Sequence, residues 1–203
     1  MLLKDKYKTL IKELETYFEH DCSGHDWYHV LRVLELSLKL SDKEGGNKEV
    51  IFLAALLHDV GDHKFHNGDY SVAPKLQQAF LEKHKVSLQL QKNILSITAN
   101  ISYSKNSVED LSLEGKIVQD ADRLDAMGHM GIARCFAYGG TKNRPIYSPN
   151  NSANSLQHFD DKLLKLQALL NTETAKDIGR MRHKVMSDFK EGFINEWNTV
   201  LNE

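Results

Sequence analysis

The chain has 203 residues, a formal net charge of -2 and 41% hydrophobic residues. That length suits one domain able to bury roughly 70% of its unfolded surface without disulfide staples. The near-neutral charge gives no electrostatic basis for binding nucleic acid or an anionic membrane surface, so neither is an expected partner. Cys22 and Cys135 form no CxxC pattern and read as small buried hydrophobes in a reducing compartment. Charges from Lys4 onward leave no apolar signal-peptide region, and the longest apolar run is far short of a membrane span. A cytoplasmic protein is the expectation.

Prolines occur only at positions 74, 145 and 149, and strand-like alternation is almost absent, so helix is expected nearly throughout. Residues Lys4 to Glu19 place Leu10, Leu14, Tyr17 and Phe18 at amphipathic spacing. The stretch DCSGHD reads as a turn, with Asp26 as N-cap of a helix from about Trp27 to Asp42. There His29, Val33, Leu36 and Leu40 form one inward stripe, with Arg32 a turn beyond His29. EGGN breaks the chain before the apolar run Ile51 to Leu57, which predicts a helix buried on most sides and closed by His58-Asp59.

Gly61 to Ser71 is polar and glycine-containing and reads as a loop beside that helix. Pro74, in a helix first turn, opens a helix to about Lys85, and another spans roughly Leu88 to Ile101. After the polar SKNSVEDLS, the segment Leu113 to Met127 sets Glu114, Val118, Asp122 and Asp125 on one face. GHMGIARCFAYGG predicts a short small-residue helix, and TKNRPIYSPNNSANS a long loop. Leu156, Phe159, Leu163, Leu166 and Leu170 mark an amphipathic helix. A last helix, Ala175 to Leu201, is expected to bury Ile178, Val185, Phe189, Phe193 and Trp197. The whole reads as an all-α, single-domain helical bundle over 1–203, without repeats or low-complexity tracts.

A histidine and an aspartate at the end of a buried helix are costly to desolvate unless something satisfies them. A divalent metal does so, and so does a helix cap with a hydrogen-bonded core histidine; the pair alone leaves both open. Three helices, however, each offer inward candidates: His29, then His58-Asp59, then Asp122. Two imidazoles and two carboxylates suit one octahedral divalent ion with water positions to spare.

These residues resemble the H…HD…D signature of the HD-domain metal-dependent phosphohydrolases, carried by His29, LLHD ending at His58-Asp59, and QDADRLDA with Asp122. The phrases GHDWYHVLRV, AALLHDVGDHKF, EGKIVQDADRLDAMGHMGIARCFAYGG and NRPIY are similar to a bacterial subgroup of small nucleotide pyrophosphohydrolases. The resemblance implies an HD-type helical bundle whose metal-site core spans about 20–140, with C-terminal helices of 151–203 packed on it. It further implies one divalent ion, Mn²⁺ first, with Mg²⁺, Co²⁺, Ni²⁺, Fe²⁺ or Zn²⁺ as alternatives, held by His29, His58, Asp59 and Asp122. Asp62 matches the acidic residue that related enzymes place beside the attacking water, and reads equally as a loop carboxylate. Arg32 and Lys64 are candidates to stabilise phosphoryl charge; a solvated lysine is the equal alternative for Lys64.

The activity implied is hydrolysis of a small nucleotide, first a nucleoside triphosphate cleaved to monophosphate and pyrophosphate by a metal-activated water. A nucleoside 5′-monophosphate phosphatase and a non-catalytic metal or nucleotide sensor are the alternatives. His63, His66 and His84 fit no helix-spaced pair that points at the site, which favours one metal over two. The sequence leaves a homodimer open.

Overall fold

The computed structural model describes residues 2–19, 24–62, 66, 68–101 and 111–201, and no β-strand occurs among them. The helices are α1 (Leu3–Lys6), α2 (Lys8–Tyr17), α3 (Trp27–Glu44), α4 (Lys48–Leu57), α5 (Val72–Lys83), α6 (Leu88–Asn100), α7 (Leu113–Asp125), α8 (Gly128–Thr141), α9 (Gln157–Asp161) and α10 (Glu173–Leu201). A 3-10 helix, Leu163–Leu169, lies between the last two. The all-α expectation is met. No helix among the described residues is long and apolar enough to cross a membrane.

The chain divides into two compact units, the first formed by Met1–Asp21 and His25–Ala121 and the second by Cys22–Gly24 and Asp122–Glu203. In the first unit α4 is the centre. Every residue from Val50 to Leu57 is buried, and α3 and α6 both pack on it. Such a helix has no polar face, so its stability comes from neighbours on all sides rather than from water. Asn47 caps its start, accepting the backbone N–H groups of Glu49 and Val50 at 3.0 and 3.2 Å. Gly45, at φ +88, ends α3 two residues later than the sequence suggests.

The single helix expected over Lys4 to Glu19 is interrupted at Tyr7, whose backbone leaves the helical region at φ -109, ψ 23. Tyr7 is buried: its ring stacks on Phe52 at 5.9 Å and its hydroxyl donates to Glu49 at 2.6 Å. Docking that side chain on α4 takes precedence over helix continuity.

In the second unit α10 packs on α8 and on the 3-10 helix. The continuous helix expected through Leu156 to Leu170 is broken at Lys162 (φ -137, ψ -57). Its apolar residues recur at alternating spacings of three and four, and a spacing of three suits a 3-10 turn as well as an α-helix. Leu163 and Leu166, three apart, are the buried pair. The inward side of α10 also differs from expectation. Ala175, Gly179 and Met186 are buried, whereas Ile178, Val185, Phe189, Phe193 and Trp197 are only partly covered. Those rings pack on one another and on their neighbours: Phe189 stacks on Phe159 at 5.7 Å, and Tyr147 meets Trp197 edge-on at 4.9 Å. The loop after α8 is ordered, with the backbone N–H groups of Ser155 and Leu156 donating to Pro145 and Ile146 at 2.9 and 3.0 Å.

Candidate metal centre

Local chemistry sets the first ligand candidate. The Asp26 carboxylate accepts the backbone N–H of His29 at 2.7 Å, capping α3 as its sequence predicts. His29 therefore sits in the first turn and points into the core, 0% exposed. Burying an imidazole this completely demands polar partners. They come from the end of α4.

There the apolar run gives out, and His58 keeps helical dihedrals at φ -58, ψ -36. Its Nδ1 donates to the Ala55 carbonyl at 2.8 Å, which leaves a lone pair on Nε2 in the neutral ring. Asp59 Oδ2 then lies 2.9 Å from His25 Nδ1, 3.2 Å from His29 Nε2 and 3.5 Å from His58 Nε2. The Nε2 atoms of His29 and His58 are 3.2 Å apart. Three imidazoles thus surround one carboxylate oxygen.

The Asp59 carboxylate is 11% exposed. Burial acts to push its pKa up, but positive charge on His58 and His25 and hydrogen bonds from His25 and His29 outweigh this and hold it well below the usual carboxylate range. Ligand distances test whether an ion fits. Donors roughly 2.1 Å from a shared ion stand about 3.0 Å apart at octahedral angles and about 3.4 Å at tetrahedral ones. The separations among His29, His58 and Asp59, 3.2 to 3.5 Å, fall close to these values. His25, His29 and Asp59 also present donor atoms within 4.8 Å of one another. The donor set fits a divalent ion.

The remaining candidates are placed as follows. Arg32 is half-buried on α3, three residues after His29, and Asp62 is half-buried in the turn three residues after Asp59. Asp122 is half-buried on α7, the first residue after the Ala121 that closes the first unit. Lys64 and His63 lie outside the described residues. His84 is engaged elsewhere, with Nε2 2.9 Å from Glu13 Oε2. Cys135 is buried as expected, while Cys22 lies outside the described residues.

The residue that sequence reasoning passed over is His25. It lies before the Asp26 cap, in a stretch that reads as a turn, and yet makes the shortest contact to Asp59. Helix periodicity could not have found it, since it stands outside α3 and meets Asp59 only through the tertiary fold.

The family model described as HD domain matches residues 26–127. The YpgQ protein of Bacillus subtilis (strain 168) is 37% identical over 180 residues, covering 87% of this chain and 86% of its own. A solved HD-superfamily hydrolase from Bacillus thuringiensis is 44% identical, with a TM-score of 0.78 over 97% of this chain and 99% of its own. Bacillus subtilis YpgQ crystallised in complex with ADP is 30% identical, with a TM-score of 0.76 over 94% of this chain and 97% of its own.

Proposed function

Because the chain belongs to the HD domain family and is a metal-dependent hydrolase, we propose that it cleaves nucleoside triphosphates to the monophosphate and pyrophosphate. The observation that carries this reading is the Asp59 oxygen ringed by His25, His29 and His58 at 2.9 to 3.5 Å. In this reading His29, His58, Asp59 and Asp122 hold one Mn²⁺, the two carboxylates suiting a hard ion and the two imidazoles completing the set. All four fall within the matched family segment 26–127. Such an ion, when bound, supplies Lewis acidity toward phosphate oxygens and brings the pKa of a water toward neutrality.

The chain's own side chains do the rest. His58, its Nδ1 held by the Ala55 carbonyl, turns its Nε2 toward His29 and Asp59. His25 donates to Asp59 and sets the orientation of that carboxylate. Asp62, one turn beyond Asp59, takes the proton of the attacking water or returns it to the leaving group. Arg32 and Lys64 meet the phosphate oxygens and offset charge that grows during transfer. A nucleotide ligand is supported by the relative crystallised with ADP, which contains the same α–β phosphoanhydride bond that this reaction breaks.

The test is a hydrolysis screen over nucleoside mono-, di- and triphosphates with Mn²⁺, Mg²⁺ and Co²⁺, every product being identified. Monophosphate and pyrophosphate from a triphosphate are expected. Release of inorganic phosphate rather than pyrophosphate from a triphosphate, or turnover of monophosphates alone, would overturn the assignment.

A further inference from the structure

The His58-Asp59 turn has an unusual support behind it. At the end of any helix the last carbonyls lack intrahelical donors and must find them elsewhere when buried. Here one side chain serves both the last carbonyl of α4 and a carbonyl of the turn beyond it. Gln77 of α5, 3% exposed, donates from Nε2 to the Leu57 carbonyl at 3.1 Å and to the Val60 carbonyl at 3.1 Å. Those two carbonyls belong to the residues on either side of His58-Asp59. One amide thus brackets the pair.

The amide is itself oriented. Thr98 of α6, also buried, donates its hydroxyl to Gln77 Oε1 at 2.7 Å. The two carbonyls can only accept, which puts the amide nitrogen toward the turn, and the Thr98 hydroxyl holds the oxygen end in place. Two further contacts constrain the same segment. Gly61 donates its N–H to the Tyr17 hydroxyl at 3.3 Å, and its backbone, at φ +75, passes so close to α5 that a β-carbon would lie 2.6 Å from Ala73 Cα.

We propose that Gln77 and Thr98 are positioning residues for the metal centre: they set the carbonyls flanking His58-Asp59 and thereby the spacing of the His58 and Asp59 donor atoms. Neither side chain approaches the reacting groups; both act through the turn. The inference rests on the reading of His58 and Asp59 as metal ligands. Ligand supports of this kind commonly govern metal affinity about 10- to 100-fold when removed.

The experiment uses the full chain with Mn²⁺ as probe, measuring the dissociation constant by calorimetry and the Mn²⁺ electron paramagnetic resonance line shape. Thermal midpoints are recorded alongside. Gln77→Met keeps the volume and removes both hydrogen bonds. Thr98→Val keeps the shape and removes the hydroxyl, and Thr98→Ser restores it. Leu81→Val, a fully buried change on the same α5, serves as the packing control.

About 10-fold weaker Mn²⁺ binding and a changed line shape are expected for Gln77→Met and Thr98→Val. Thr98→Ser and Leu81→Val should bind like the parent chain, even where their midpoints fall. Parent-like binding by Gln77→Met and Thr98→Val, or a loss that merely tracks the midpoint as in Leu81→Val, would overturn the proposal. Should Gln77→Met fail to fold, the Thr98 pair decides. Absence of Mn²⁺ binding by the parent chain would instead overturn the metal assignment on which it stands.

Discussion

Gly61→Ala tests the turn after Asp59 most sharply, because two separate costs can be read from its geometry. The residue has φ +75, a conformation that costs a residue with a β-carbon about 1 kcal/mol. The added methyl would also stand 2.6 Å from Ala73 Cα and 2.9 Å from Ala73 N, both backbone atoms that cannot rotate away. Forcing extra volume into a packed site costs about 1–3 kcal/mol. The sum is about 3 kcal/mol, or a midpoint lowered by roughly 6–12 °C in a chain of this size. Gly68→Ala separates the two costs. Gly68 has a similar φ of +84, but nothing among the described residues lies within 4 Å of its β-carbon position. That variant should lose about 1 kcal/mol, near 2–4 °C. Differential scanning calorimetry of both variants against the parent measures the difference. Equal losses for Gly61→Ala and Gly68→Ala would refute the claim that α5 packs tightly against this turn.

Further expectations follow from other parts of the molecule. Removing divalent metal with a chelator should lower the midpoint by roughly 5–11 °C relative to protein held at a hundredfold excess over the dissociation constant, about 2.7 kcal/mol of linkage; an unchanged midpoint counts against an ion bound by the folded state. Burial, with Lys162 and Arg144 adding to it, lowers the His158 pKa, so the folded chain favours the neutral ring. Its contribution to stability is present above the ordinary histidine pKa of about 6.5 and is lost as pH falls through the lowered folded value. Denaturant midpoints at pH 7 and pH 5 should therefore differ less in His158→Gln than in the parent. The Cys135 thiol is pushed up to about 11 by burial. In a Cys22→Ser background, its reaction with a disulfide reagent at pH 8 should be roughly a hundredfold slower than in unfolded chain, from the thiolate fraction alone. Last, a single calorimetric transition is expected if the whole chain behaves as one domain, and two resolved transitions would overturn that reading.

The site was legible in proportion to how local its cues are. His29, His58 and Asp59 stand at the end or on the inward face of strongly apolar helices, where an unpaired polar group is conspicuous. Asp26 announced itself by its place immediately before an amphipathic run. His25 did not, because a histidine before a cap reads as loop until the chain returns Asp59 to it from 34 positions away. Gln77 was hidden for a different reason. It stands beside Gln78, and nothing in their order tells which is buried; Gln77 brackets the turn, while Gln78 is exposed and bonds Glu82.

Sequence alone determined the all-helical class, the N-cap of α3 and the order of most helices, because periodicity and capping depend on residues within one or two turns. Tertiary packing decided where helices stop when a neighbour competes, as at Tyr7, and which turn type the leucines after Lys162 adopt. It alone placed His25 on Asp59 and Gln77 behind the turn, since such contacts join residues 34 and 20 positions apart. A local pattern carries no distance information at that range; closure of the fold around α4 supplies it.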